Sequence, residues 1–246
     1  FGEYNDYIKD YITKNFDYAF GQHSGVIDIN KDKFDVSRFK KDLFKKRDLV
    51  GKEQFKWLDE NLDNNFKWSI IGQQVLVAPT VLPEIFSKID KSKIPEYLHK
   101  YIKIAGMNIP YNTDSWDGYP NEREKLYKVL SKSQSNVVLT GDTHNSWISN
   151  LYNKYNEFIA VEIATPAISS PNTVDTFGSI TKDIDSDFVK SNKHLKWTNG
   201  SNKGFVKLTI TRDNIEAKFL YVSTVKSKDY YLIDNNQFVV RHNRPL

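Results

Sequence analysis

The stretch Asn136-Val137-Val138-Leu139-Thr140-Gly141-Asp142-Thr143-His144-Asn145 constrains this chain more than any other. Its first half is a short apolar, β-branched run, the pattern of a strand buried on both faces. The run breaks at Gly141, and a carboxylate and an imidazole follow two positions apart. Just past the carboxyl end of a buried strand, such a pair is placed to hold a metal ion over the edge of an α/β sheet. The residues before it, Glu122–Ser131, carry Leu126, Val129 and Leu130 on one helical face and complete a strand–helix–strand unit.

With 246 residues the chain can bury roughly 70–75% of its extended surface, enough for a core without covalent staples. A hydrophobic content of 39% excludes a disordered chain. The net charge of +4 is spread over interspersed Lys and Asp/Glu, which gives none of the concentrated basic face that nucleic-acid binding requires. There is no Cys, so neither a disulfide framework nor a thiolate ligand or nucleophile is available. No apolar run approaches the roughly 20 residues of a membrane span. The chain opens on Phe1 rather than Met, which reads as a processed product or a piece of something longer.

Along the chain, Tyr4, Tyr7, Ile8, Tyr11 and Ile12 recur at helical spacing, and residues up to 48 read as an N-terminal excursion of helix and surface loop. A clear helix follows from Lys52, with Phe55, Leu58 and Leu62 on one face. Trp68–Pro79 reads as a buried strand that leaves the sheet at Pro79. Residues 80–112 look like a lid-like excursion with a short helix near 83–89. After Phe158–Ala164, another strand, residues 172–200 read as loop plus helix. Gly204–Thr211 and Ile215–Val222 alternate with period two around Arg212-Asp213-Asn214, the pattern of a β-hairpin. Residues 226–246 read as a C-terminal tail.

Several ordered pieces resemble the PhoD-like alkaline phosphatase/phosphodiesterases of the calcineurin-like metallophosphoesterase superfamily. They are Leu49-Val-Gly-Lys-Glu-Gln-Phe-Lys-Trp-Leu, Trp68-Ser-Ile-Ile-Gly-Gln-Gln-Val-Leu-Val-Ala-Pro, Asp114-Ser-Trp-Asp-Gly-Tyr-Pro-Asn-Glu-Arg, Val138-Leu-Thr-Gly-Asp-Thr-His and Glu162-Ile-Ala-Thr-Pro-Ala-Ile-Ser-Ser-Pro. The resemblance covers about 49–225. It implies an α/β fold, the C-terminal half of a four-layer α/β/β/α sandwich closed by a β-hairpin. The superfamily's early ligand motifs are not found here, and His23 matches none of them.

The resemblance makes Asp142 and His144 the family's closing ligand pair and the centre of catalysis, with iron and calcium as the implied metals. Bound metals would lower the pKa of water from 15.7 towards about 7 and align the phosphate oxygens, so that a metal-activated hydroxide attacks a phosphate mono- or diester. Without the resemblance, Asp142 reads equally well as a cap and His144 as a surface residue. Gln73 and Gln74 stand where superfamily members place a ligand; the Gln74 amide oxygen suits a hard cation such as Ca²⁺, or else bonds neighbouring backbone. Arg123 is a candidate phosphate partner through its planar fork, with Asp114, Trp116 and Asp117 at the substrate entrance; the competing reading is a turn packed on the core. Asn145 is a candidate donor to a phosphate oxygen, or a turn residue. His194 and Trp197 read as packing. The alternative to an enzyme is a non-catalytic half that acts as a binding or scaffolding piece. Export from the cytoplasm is expected from family habit alone, and an unpaired apolar sheet edge is expected to favour self-association.

Overall fold

The computed structural model describes residues 36–62, 65–94, 96, 99–110, 112–178, 183–233 and 236–246. The aromatic helical pattern at 4–12 and His23 lie outside the described residues. Five strands form the first sheet: β1 (Ser69–Gly72), β2 (Asn136–Thr140), β3 (Ser146–Tyr152), β4 (Phe158–Ala164) and β5 (Leu195–Asn199), in the order β1-β2-β4-β3-β5. β1, β2 and β4 run parallel, whereas β3 pairs antiparallel with both β4 and β5. The second sheet is antiparallel and has four strands: β6 (Lys203–Ile210), β7 (Asn214–Val222), β8 (Leu232–Ile233) and β9 (Gln237–Arg241).

Alternation along β2 explains the stacking. Val137 faces the second sheet, in a cluster with Ile148, Val161, Ile163, Ile215, Ala217, Phe219 and Tyr221. Val138 faces the other way, into Leu126, Tyr127, Leu130 and Trp116. That second cluster is covered by α2 (Gly51–Asn61) and α4 (Pro120–Leu130), of which α4 buries Leu126, Tyr127, Val129 and Leu130. The two sheets are also joined by a polar contact, Ser146 Oγ to Tyr221 Oη at 2.8 Å. The outer face of the second sheet carries the exposed Phe205, Lys207 and Thr209.

Four stretches depart from the sequence expectation. First, 80–110 is packed rather than lid-like: Leu82, Phe86, Ile89, Ile94, Ile102, Ile104 and Ile109 bury themselves with Phe39 and Leu43 of α1 (Val36–Leu43), Ile184 and Phe188. This segment turns through a 3₁₀ helix at Glu84–Lys88 and the short α3 (His99–Ile104), whose turns bring isoleucines inward without a sustained period. Second, β1 ends at Gly72, so Gln73 and Gln74 lie in the loop after it and not within a strand. Third, 172–200 holds β5 as well as two helices, α5 (Thr173–Phe177) and α6 (Ile184–Ser191). Fourth, 226–246 supplies β8 and β9, and Asn150, fully buried in β3, bonds the backbone N and O of Leu246 at 3.0 and 3.2 Å.

β1 is an edge. Ser69 N and Gln73 N bond back towards β2, to Ser135 O and Leu139 O, so in a parallel strand Ile70 and Gly72 direct their backbone groups the other way. On that side lies a groove of about 620 Å³ between β1 and α2, in which Trp57, Phe66 and Ile70 are 64%, 65% and 38% exposed. Parallel strands are normally covered on every side, which makes this apolar, part-exposed flank unusual.

Candidate metal and phosphoester site

The carboxyl ends of the three parallel strands, Gly72, Thr140 and Ala164, share one end of the first sheet. The loops that follow are stitched to each other: Gly141 N donates to Gln74 O (3.3 Å), Thr165 N to Thr140 O (2.9 Å) and Ala167 N to His144 O (3.2 Å). Gly141 does not make the turn by adopting a left-handed backbone. Asp142 and His144 do, with φ of 70° and 63°. A left-handed conformation costs a residue with a side chain about 1–2 kcal/mol, and such residues concentrate where a site needs a particular side-chain direction. The loop is held by Trp147 Nε1, which donates to Thr143 Oγ1 at 2.7 Å, and Trp147 itself is buried.

His144 Nδ1 lies 2.7 Å from Pro171 O. A carbonyl can only accept, so Nδ1 carries the hydrogen and Nε2 keeps its lone pair in the neutral ring. Asp142 is exposed, and its charge reaches Asp114, whose carboxyl is raised by burial and by Asp142. A carboxylate and an imidazole with a free lone pair are the residue types that ligate divalent or trivalent cations. Among the described residues no group of three or more His, Asp or Glu side chains is assembled for a metal by itself.

The remaining predicted residues are placed differently. Arg123 and Asp117 form a buried ion pair (Arg123 Nη1 to Asp117 Oδ1, 2.7 Å), with side chains 14% and 3% exposed. Asp117 Oδ2 also accepts from Thr80 N at 2.7 Å, and Arg123 donates to Val77 O at 3.4 Å. The bonds to Thr80 N and Val77 O tie the pair to the 77–80 segment. Asn145 is buried; its Nδ2 donates to Thr173 Oγ1 at 2.6 Å and its Oδ1 accepts from Thr173 N at 3.1 Å. Gln74 is exposed, and its backbone N donates to Gln73 Oε1 at 2.7 Å. His194 is neutral in the fold, because burial pushes it down to about 4.

Sequence reasoning did not single out Glu162. It is fully buried on β4, where Oε1 accepts from Val77 N (2.6 Å) and Oε2 from Ala78 N (3.1 Å). Burial raises its carboxyl to about 7 against the pull of those donors. An acid in the middle of the apolar run Phe158–Ala164 was the available signal. Asp114, which the sequence places with Asp117 at the substrate entrance, feels the charge of Asp142.

A mixed sheet backed by an antiparallel one, with its ligand-type residues at the carboxyl ends of parallel strands, defines an α/β protein with its site at a strand end. The PhoD-like phosphatase family profile matches residues 22–219. The chain belongs to that family. It is similar to alkaline phosphatase D of Bacillus subtilis (strain 168), 32% identical over 182 residues, a match covering 70% of this chain and 26% of that protein. A solved chain described as "Structure of PhoD" superposes with a TM-score of 0.58 at 27% identity, covering 78% of this chain and 33% of that one. This chain therefore spans about a quarter to a third of the length of these relatives.

Proposed function

We propose that this chain carries the closing metal-ligand segment of a phosphoester hydrolase, with Asp142 and His144 as ligands and a phosphate mono- or diester as substrate. The observation that carries this reading is the pair of left-handed residues at the end of β2, one of them with its Nε2 lone pair left free by the Pro171 carbonyl. When bound, a metal ion supplies positive charge for the phosphate oxygens and acidifies water. Imidazole with carboxylate suits iron, and carboxylate with an amide oxygen such as that of Gln74 suits calcium. The chain's own residues then divide the work. His144 presents a nitrogen of fixed orientation, Asp142 presents an anionic oxygen, and the Asp117–Arg123 pair holds the loop after β1 in register behind them. Placement of the parent protein outside the cytoplasm belongs to the same proposal.

A second reading has direct support, since the described residues assemble no three-ligand group and the chain spans only part of its relatives. In it the segment binds metal weakly or not at all alone and contributes its two ligands only beside the rest of the family's fold. Elemental analysis and hydrolysis of bis-p-nitrophenyl phosphate and p-nitrophenyl phosphate, after loading with iron and calcium, separate the two. Bound metal that is lost in Asp142→Ala and in His144→Ala supports the site; equal metal retention in both variants removes it. Little or no bound metal together with no turnover selects the second reading.

A further inference from the structure

The segment 165–175 grips His144 at both ends of the residue. Its backbone carbonyl accepts from Ala167 N, and its Nδ1 donates to Pro171 O. Two residues after Pro171, Thr173 opens α5 and is tied back to Asn145, the residue next to His144, by two hydrogen bonds of opposite sense. The turn between them is rigid for further reasons. Asn172 and Asp175 form a reciprocal capping box, with both bonds at 3.1 Å, and Val174 N donates to Gly200 O at 3.0 Å. Lys203 pairs with the Asp175 carboxylate from the start of β6. The Pro171 carbonyl is thus held on one side by the second sheet and on the other by Asn145.

We propose that Asn145 is a positioning residue that sets the tautomer of His144, acting through Thr173 and the Pro171 carbonyl, so that Nε2 is the nitrogen offered to a metal ion. The geometry favours this over contact with substrate. Asn145 is buried, and both polar atoms of its amide are already committed to Thr173. Partners that fix the ring of a metal-ligating histidine typically change metal affinity by about 10–100-fold when removed. The metal part of the claim rests on the proposed function; the tautomer part does not.

Nitrogen-15 NMR of the metal-free chain, at a pH about 2 units above the ordinary imidazole pKa, reads the tautomer directly. In the unaltered chain His144 is expected to show a protonated Nδ1 and a lone pair on Nε2. Asn145→Ala should shift the ring towards the Nε2–H form, and Thr173→Val, which removes only the hydroxyl, should shift it part of the way. Asn145→Asp should restore the original pattern, because the Thr173 hydroxyl can reverse and donate to the new carboxylate while the Thr173 N–H keeps its acceptor. Zinc titration by calorimetry should then weaken by about 10-fold or more in Asn145→Ala. Should Asn145→Ala fail to fold, Thr173→Val alone decides the question. An unchanged tautomer in a folded Asn145→Ala or Thr173→Val chain overturns the proposal. A shifted tautomer in a chain that binds no zinc keeps the positioning role and counts against the metal site instead.

Discussion

Replacing Glu162 by Gln tests how much a single buried acid governs this fold. The folded carboxyl titrates at about 7, against an ordinary 4.5, because burial disfavours its charge. A group whose folded pKa is raised stabilises the fold fully below its unfolded pKa, and that stability is lost as pH rises through the folded value. The whole gap is worth about 3 kcal/mol, of which about 2.5 kcal/mol falls between about pH 5 and about pH 8. Gln cannot titrate, but its single oxygen can serve only one of the two donors Val77 N and Ala78 N, which costs about 1–3 kcal/mol at any pH. Urea denaturation of both chains across that range should show the unaltered chain ahead of Glu162→Gln at the acid end. The lead should shrink by about 2.5 kcal/mol, to near zero or below, at the alkaline end. A difference between the two chains that stays constant with pH would refute the claim that Glu162 is a buried, titrating acid.

Two further substitutions probe the scaffold behind the site. Asp117→Asn leaves the Arg123 guanidinium buried without its counter-charge and should cost about 3–5 kcal/mol by denaturant titration; a loss under about 1 kcal/mol would mean that Arg123 reaches water. Gly118→Ala would put a Cβ 1.9 Å from Thr113 O, so the turn leading into α4 must open; a drop in folding stability of about 2–4 kcal/mol is expected, and a neutral effect in thermal melts would show that the turn is not held as described.

Much of the fold was legible from local pattern. β2 and β4 are apolar runs, β6 and β7 alternate with period two, and α2 and α4 keep their apolar spacing, so each shows its burial in its own residues. β3 was not legible as a strand, because Ser146, Ser149 and Asn150 interrupt it. Two of those polar groups take distant partners, Tyr221 for Ser146 and Leu246 for Asn150. The packed 80–110 segment escaped notice for the same reason, since its isoleucines meet Phe39 and Phe188 across long separations and not along one helix face. At the site, Asp142 and His144 stood out because a carboxylate and an imidazole after a buried strand form a local signal. The roles of Asp117, Arg123 and Asn145 depend on whether their polar atoms are free or already bonded, which spacing does not record. Pro171, 27 positions beyond His144, is visible only in three dimensions.

On the proposed function, the unusual backbone at Asp142 and His144 sets folding against chemistry. Glycine would relax both positions, so any search that ranks substitutions by fold robustness alone would write glycine there and produce a sturdier, silent protein. A thermostabilising library built on this chain preserves the proposed ligand pair only if those two codons are excluded.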